Sequence, residues 1–489
     1  MPAAPAEQPD RPSLRTRALV AGLWLAGQSA YNTVANAVAL VVLARLVAPS
    51  AFGLVAITSV VISLVTIVTD FGVTPMLERV EQVSDEQLST GFWLSLGIGV
   101  VLTAAIEAIA PAFASLMREP QLTLILRVVA LSVPITAVWA VPTALLRRDL
   151  QAKVLARRQV VAVTVATLGA IVLAVLHAGA WALVFQDVGS VTLEAIVLWR
   201  NVGWRPRLCF DRVQARGLLA FGSQVTLTQL IDQGRDRIVE LLIGRILGVR
   251  LLGVWVIASR VSSVCLAMFT TVAMQVALPA FARFQSDRER LGDVFRQAQR
   301  TLGAVAMPGM LAIAAAAPVA IPALFGARWH QSGGLGRLLC IYAGAAAVTW
   351  LDSAVWWSLG RPSIALAISG MGAVATLVCV GIVCHLGLSA VAWSVVAIAL
   401  LQVPLRIGVL SRLGGISPRA YGDLPAAVVC AVSMGIATAV VGRLLAGSRP
   451  ILILLAEAAT AALFYLALSW LLQRPVLDEL RRDLRRISA

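Results

Sequence analysis

The chain has 489 residues, 59% of them hydrophobic and 13% charged, with a formal net charge of +15 and a mean hydropathy of +0.86. Soluble domains are about half apolar and a quarter charged, so this composition excludes an ordinary soluble protein and marks a chain built for a bilayer. The positive balance, 40 Lys and Arg against 25 Asp and Glu, does not point to nucleic acid, because the arginines stand in gaps beside apolar runs, where basic residues set membrane topology.

A helix needs about 20 apolar residues to cross the hydrocarbon core. Fourteen runs of that kind follow one another, near 19–44, 51–76, 89–111, 120–146, 158–177, 178–199, 218–246, 251–274, 301–326, 335–358, 362–385, 386–410, 424–446 and 449–473. Two adjacent pairs are divided only by the short turns His177-Ala-Gly and His385-Leu-Gly. The runs are far longer than the ten-residue alternating strands of a barrel. The predicted fold is therefore all-α: a polytopic membrane protein with about 14 transmembrane helices. The gaps at 147–158, 200–216 and 283–300 each hold five Lys or Arg. Arg11, Arg15 and Arg17 precede the first run, and Arg474, Arg481, Arg482, Arg485 and Arg486 follow the last. Fourteen spans put all of these on one side, so the positive-inside rule predicts that both termini are cytoplasmic. The polar, basic first eighteen residues lack a small-residue cleavage site after a brief apolar core, so the first helix reads as a retained span, not a signal peptide.

Six cysteines, five of them inside predicted spans, show no CxxC pairing. Only His385 stands near the Cys379 and Cys384 pair, so small core residues are expected rather than a metal site or a disulfide framework. His177, His330 and His385 fall at predicted outer turns without ligand-like spacing. There is no Walker loop for nucleotide hydrolysis, and no catalytic constellation of any other kind. No enzyme, cofactor or metal is predicted.

The run Leu43-Ala-Arg-Leu-Val-Ala-Pro-Ser-Ala-Phe-Gly53 is echoed by Ile243-Gly-Arg-Ile-Leu-Gly-Val-Arg-Leu-Leu-Gly253, matching Arg45 to Arg245 and Gly53 to Gly253 without a gap. The glycines suit a tight helix–helix turn that needs unusual backbone angles. Asn32 and Asn36 align with Asp232 and Asp236, so spans one and seven carry polar groups at matching positions. The echo predicts two pseudo-symmetric six-helix lobes, both starting on the cytoplasmic side, a parallel repeat of a type that transporters use. The expected organisation is a tail at 1–18, an N-lobe at 19–210, a C-lobe at 211–412, two appended spans at 413–473 and a basic tail at 474–489. Sites in such folds lie between the lobes near the midplane.

Span seven holds Asp232, Arg235, Asp236, Arg237 and Glu240. At about 100° per residue the three carboxylates make a stripe about 80° wide, flanked by the two arginines. Each charge at a span centre costs about 2.5–3.5 kcal/mol on insertion scales, so the five must pair with one another or face a wet cavity. Asp232–Arg235 and Arg237–Glu240 are neighbours three apart that can pair locally. Two readings stay open: an ion-pair knot holding the lobe together, or a cleft wall where arginines meet an anionic head group and a carboxylate titrates. Gln28, Asn32 and Asn36 form the matching stripe of span one, as cavity lining or as interhelical glue. Asp187 and Arg260, inside spans six and eight, line a cavity or pair structurally. Asp70 and Asp352 lie nearer cytoplasmic ends, where a path to water lowers their cost. Trp350, Trp356 and Trp357 read as an interfacial belt.

The run Leu43 to Leu54, followed by Asp70-Phe-Gly72, resembles the opening signature of bacterial polysaccharide and O-antigen flippases. So do Leu145-Leu-Arg-Arg-Asp-Leu150, Asp236-Arg237 with Gly248 and Gly253, Phe325-Gly326 with Trp329, and Gly360-Arg-Pro362. The resemblance covers nearly the whole chain, and its motifs are short and mostly structural. It implies the Wzx-like, polysaccharide-export branch of the multidrug/oligosaccharidyl-lipid/polysaccharide exporter superfamily. Members of that branch flip undecaprenyl-diphosphate-linked oligosaccharide outward across the bacterial cytoplasmic (inner) membrane by alternating access. On that resemblance Arg235, Arg237 and Arg260 would bind substrate; the polar stripes of the spans add Asn32 and Asn36 as substrate contacts and Asp232, Asp236, Glu240 and Asp187 as groups that would couple transport to protons or membrane potential. The implied partners are the lipid-linked oligosaccharide, membrane lipids, a polysaccharide polymerase and glycosyltransferases, with no nucleic acid. The alternatives are a lipid II flippase, a multidrug or cation antiporter of the same superfamily, and a non-transporting scaffold of a glycan-assembly complex.

Overall fold

Each apolar run becomes a helix. The computed structural model describes residues 14–70, 84–148, 151–284, 287–445 and 447–472. Phe71, Gly72, Asp149 and Leu150 of the quoted motifs, and most of the two basic tails, lie outside them. Sixteen α-helices and no strand occur among the described residues. In the first half of the chain these are α1 Leu14–Leu46, α2 Pro49–Asp70, α3 Asp85–Met117, α4 Gln121–Ala130, α5 Ser132–Arg148, α6 Ala152–Val175, α7 Ala180–Asn201 and α8 Arg212–Leu247. In the second half they are α9 Val249–Arg283, α10 Arg288–Phe325, α11 His330–Val348, α12 Asp352–Ser358, α13 Pro362–Val383, α14 Leu388–Gly414, α15 Leu424–Leu444 and α16 Pro450–Leu472. Counted with α4–α5 and α11–α12 each as one broken helix, the sixteen make fourteen units. Thirteen are long and apolar enough to cross a membrane by length and composition. The fourteenth is α8, whose charges set it apart from the rest.

Local chemistry sets the breaks. His177 (φ 60°) and Gly179 (φ 59°) take left-handed conformations in the turn between α6 and α7, and Gly387 (φ 109°) does so before α14. Gly326 (φ 106°) stops α10, and Gly360 (φ 67°) separates α12 from α13. From Arg288 on, the gap at 283–300 is helical where the sequence reading expected a loop. Asp287 caps α10 by accepting a hydrogen bond from the Arg290 amide (3.1 Å), and Arg290–Asp287 and Arg296–Asp293 pair at one-turn spacing. A cap and charge pairs stabilise a polar first segment that hydropathy alone does not register. α10 is therefore 38 residues long, about 57 Å at a rise of ~1.5 Å per residue.

The chain divides into two compact units, Met1–Val47 with Ile57–Leu230, and Ala48–Ala56 with Ile231–Ala489. In the first, α1 lies along α6, where Gln28 bonds Gln159 and Tyr31 bonds Thr164. Arg158, one of the five basic residues of the 147–158 gap, is a topology signal by sequence but a core group by structure. It is 8% exposed, pairs with Glu194 (3.3 Å), donates to the Thr143 hydroxyl (2.9 Å) and covers the Trp139 ring at 4.6 Å. This group ties α5, α6 and α7 together.

In the second unit α15 and α16 pack on α10, and an apolar cluster joins Phe281, Phe295, Leu351, Trp356 and Tyr421. Trp356 is 2% exposed, so it belongs to this core and not to an interfacial belt. Asp352 is 2% exposed too. Its Oδ1 accepts a hydrogen bond from the Tyr421 hydroxyl at 2.5 Å, the partner that burial demands, while its Oδ2 is buried without one among the described residues. The echoed glycines meet here. A Cβ on Gly53 would stand 1.8 Å from the Val249 carbonyl oxygen, and one on Gly253 would stand 1.9 Å from that of Pro49. Both glycines lie inside helices and neither has a positive φ, so they serve close approach and not an unusual turn. The left-handed turn belongs to Gly248 (φ 88°). Beside them Phe52 meets the fully buried Trp329 edge to face at 5.4 Å.

Candidate functional site: a charged helix beside a cavity

α8 carries its ionic residues from Asp232 to Glu240, all beyond the Leu230–Ile231 boundary and therefore in the second unit. Two of the arginines have local partners. Arg237 donates to Glu240 at 3.1 Å, the neighbour three residues on. Arg235 binds the adjacent Asp236 at 2.8 Å and donates to the Tyr342 hydroxyl at 3.2 Å. The Asp232 side chain lies outside the described residues. Arg260, on α9, is exposed and within electrostatic reach of Glu240. Pairing of this kind offsets the cost of carrying charge on a membrane helix.

The pairing leaves one guanidinium on open space. Arg235 lines a cavity of about 410 Å³ within the second unit, walled by α8, α11–α12, α13 and α14. The stripes on those walls follow helical spacing. Tyr342, Trp350, Ser353 and Trp357 descend α11–α12, Ser369 and Thr376 mark α13, and Gln402 and Arg406 stand one turn apart on α14. Ligand sites of about 300–1,000 Å³, mostly apolar with a few directed polar groups, have this character. Of the described site residues expected from sequence, the structure brings only Arg235 to the cavity wall. Arg237, Asp236 and Glu240 share its helix but do not line the cavity. Asn32, Asn36 and Asp187 belong to the first unit. Asn32 is half-buried, and its Oδ1 has no hydrogen-bond partner among the described residues; Asn36 and Asp187 are exposed.

Sequence reasoning missed Tyr342, Gln402 and Arg406. A signal for the last two was present: an amide and an arginine four residues apart inside a predicted span place two polar groups on one face. Trp350 and Trp357, expected at an interface, line the cavity at 39% and 50% exposure.

The profile of a family described as polysaccharide biosynthesis proteins matches residues 42–333, more than half of the chain. The chain belongs to this family. It is 24% identical to the lipopolysaccharide biosynthesis protein WzxC of Escherichia coli (strain K12) over 67% of this chain and 67% of that protein. The succinoglycan biosynthesis transport protein ExoT of Rhizobium meliloti (strain 1021) is 24% identical over 68% and 69%. The teichuronic acid biosynthesis protein TuaB of Bacillus subtilis (strain 168) is 23% identical over 61% and 62%. Among solved structures, the lipid II flippase MurJ in an inward closed conformation aligns with a TM-score of 0.76 at 11% identity, covering 92% of this chain and 99% of MurJ. An inward-facing multidrug resistance transporter of the MATE family aligns with a TM-score of 0.62 at 16% identity, covering 80% and 96%. The two solved structures show that the chain shares its fold with a lipid II flippase and a MATE family transporter. The family motifs account for the architecture, since Gly53, Gly253, Gly326, Trp329 and Gly360 all act at helix contacts or helix ends.

Proposed function

We propose that the protein is a flippase that moves undecaprenyl-diphosphate-linked oligosaccharide outward across the bacterial cytoplasmic membrane by alternating access. Family membership supports the class, and the position of Arg235 on the wall of a cavity among membrane helices carries the reading. A diphosphate is the ligand for which a guanidinium in a low-dielectric site is suited, because charge-assisted hydrogen bonds strengthen as water is excluded. The polyprenyl tail stays in the bilayer while the glycan crosses through water. The six-helix lobes at 19–210 and 211–412 rock against each other, with both termini cytoplasmic. The reciprocal packing of Gly53 and Gly253 supports a repeat. Arg237, Arg260, Asn32 and Asn36 complete the substrate contacts, and Asp232, Asp236, Glu240 and Asp187 couple the cycle to protons or membrane potential. A polysaccharide polymerase and glycosyltransferases act with it.

Replacing Arg235, Arg237 and Arg260 together by Gln, with membrane levels of the protein unchanged, is expected to abolish polysaccharide export in cells. Undiminished export by that variant overturns their role.

A further inference from the structure

Arg406 stands on α14, in the wall of the same cavity as Arg235. It lines the cavity, yet its Nε is buried without a hydrogen-bond partner among the described residues. The carboxylate whose field reaches it, Asp352, already holds the Tyr421 hydroxyl. None of the described lining residues is acidic. Asp236, the partner of Arg235 on α8, does not line the cavity and has a side chain 67% exposed. A guanidinium left short of partners beside a membrane cavity is costly, and an anionic ligand offsets that cost.

What stands beside it limits the ligand further. Arg361 donates to the Leu413 carbonyl at 3.2 Å, and a Cβ on Gly414 would stand 3.4 Å from the Trp356 ring. The end of α12 therefore lies beside the end of α14. Trp357 is the penultimate residue of α12, and Arg406 stands eight residues before the end of α14. Trp357 on α12 and Trp350, in the break between α11 and α12, thus share the cavity with Arg406. Arg235 and Tyr342 hold the other level. Two part-exposed indoles offer flat apolar faces, which suit the C–H faces of a pyranose ring, whereas an acyl-glycerol headgroup presents no such ring.

We propose that the Arg406 end of this cavity is a glycosyl-phosphate subsite, where the guanidinium holds phosphate and Trp350 and Trp357 hold the first sugar of the carrier lipid. The proposal rests on the flippase reading and adds a site at a second level from Arg235, so that cargo meets two cationic stations in succession. At about 410 Å³ the cavity takes a diphosphate with its nearest sugar and excludes the bulk of a polymer.

The test is equilibrium binding to purified full-length protein in detergent, with three probes: geranyl diphosphate bearing one hexose, geranyl diphosphate alone, and dioctanoyl phosphatidylglycerol. R406Q is expected to weaken both diphosphates about tenfold, the loss of one charge-assisted contact worth ~1.4 kcal/mol. The double variant W350A/W357A is expected to weaken the hexose probe about tenfold and geranyl diphosphate by less than about twofold. A merely structural role for the indoles would not separate those probes. R406K, which keeps the charge, is expected to retain most of the affinity. Unchanged binding of the hexose probe to R406Q overturns the subsite, and leaves the flippase reading standing where the Arg235, Arg237 and Arg260 variant has lost export. Phosphatidylglycerol binding as tightly as the hexose probe assigns the cavity to membrane headgroups and overturns it too. Weakened hexose binding by R406Q in a protein that never exports glycan supports the subsite and removes the transport reading.

Discussion

Gly53→Ala is expected to remove most of the protein from the membrane fraction, and Gly253→Ala to do the same. One added carbon at residue 53 would stand 1.8 Å from the Val249 carbonyl oxygen, and at residue 253 it would stand 1.9 Å from that of Pro49. No carbon stands so close to an oxygen to which it is not bonded. The obstacle on both sides is backbone, so no side-chain rotation relieves the overlap and the helices must part. Ordinary overpacking costs about 1–3 kcal/mol; separating two helix backbones also undoes the neighbouring Phe52–Trp329 contact. Gly27→Ala supplies the control. It adds the same methyl where nothing lies within 4 Å, and alanine in place of helical glycine is worth about 1 kcal/mol in the favourable direction. Quantitative blotting of membrane fractions for the three variants checks this. Normal levels of the Gly53 and Gly253 variants would contradict the close approach.

The second large effect is expected at Glu194. Its carboxylate and the Arg158 guanidinium are each about nine-tenths buried, with 10% side-chain exposure apiece. Glu194→Gln leaves Arg158 with the Thr143 hydroxyl and the Trp139 ring but no countercharge. Breaking one side of a buried pair costs about 3–5 kcal/mol, whereas replacing both partners by apolar groups of similar volume is often near neutral. The melting temperature of the purified protein is therefore expected to fall sharply in E194Q and to recover most of the loss in R158M/E194M. Equal melting of E194Q and the wild type would show that the pair carries no weight in the first unit.

Most of the fold was legible because burial in lipid imposes a length rule on each span separately. A run of apolar residues declares a crossing without reference to any other run, and the turns at His177 and Gly387 show in the sequence as short polar or glycine-bearing interruptions. Two kinds of detail were hidden. The interruption of α11–α12 between Val348 and Asp352 falls inside an apolar run, so hydropathy passes over it. The helical segment from Arg288 to Arg300 is polar, so a scale that scores only apolarity reads it as a connection.

For the site, periodicity placed the α8 charges on one helix and identified Arg237 and Glu240 as able to pair. Which helix faces them is a tertiary fact. Arg235 bonds Tyr342 and shares a cavity with Arg406, residues from spans far along the chain whose own patterns do not name a partner. The same limit explains Arg158 and Asp352. One was read as a topology signal and the other as close to water, but Glu194 and Tyr421 approach from other helices and hold them in the interior. A sequence reports which residues share a face; the packing of helices decides what that face meets.

The most direct measurement is translocation of a fluorescent polyprenyl-diphosphate oligosaccharide in liposomes reconstituted with the purified full-length protein, read by accessibility of the glycan to an external modifying enzyme. The wild-type protein is expected to expose the inner-leaflet glycan to the enzyme, and the joint substitution of Arg235, Arg237 and Arg260 by Gln to reduce that exposure to the level of protein-free liposomes. Wild-type protein, folded and inserted, that exposes no more glycan than protein-free liposomes would contradict the flippase account.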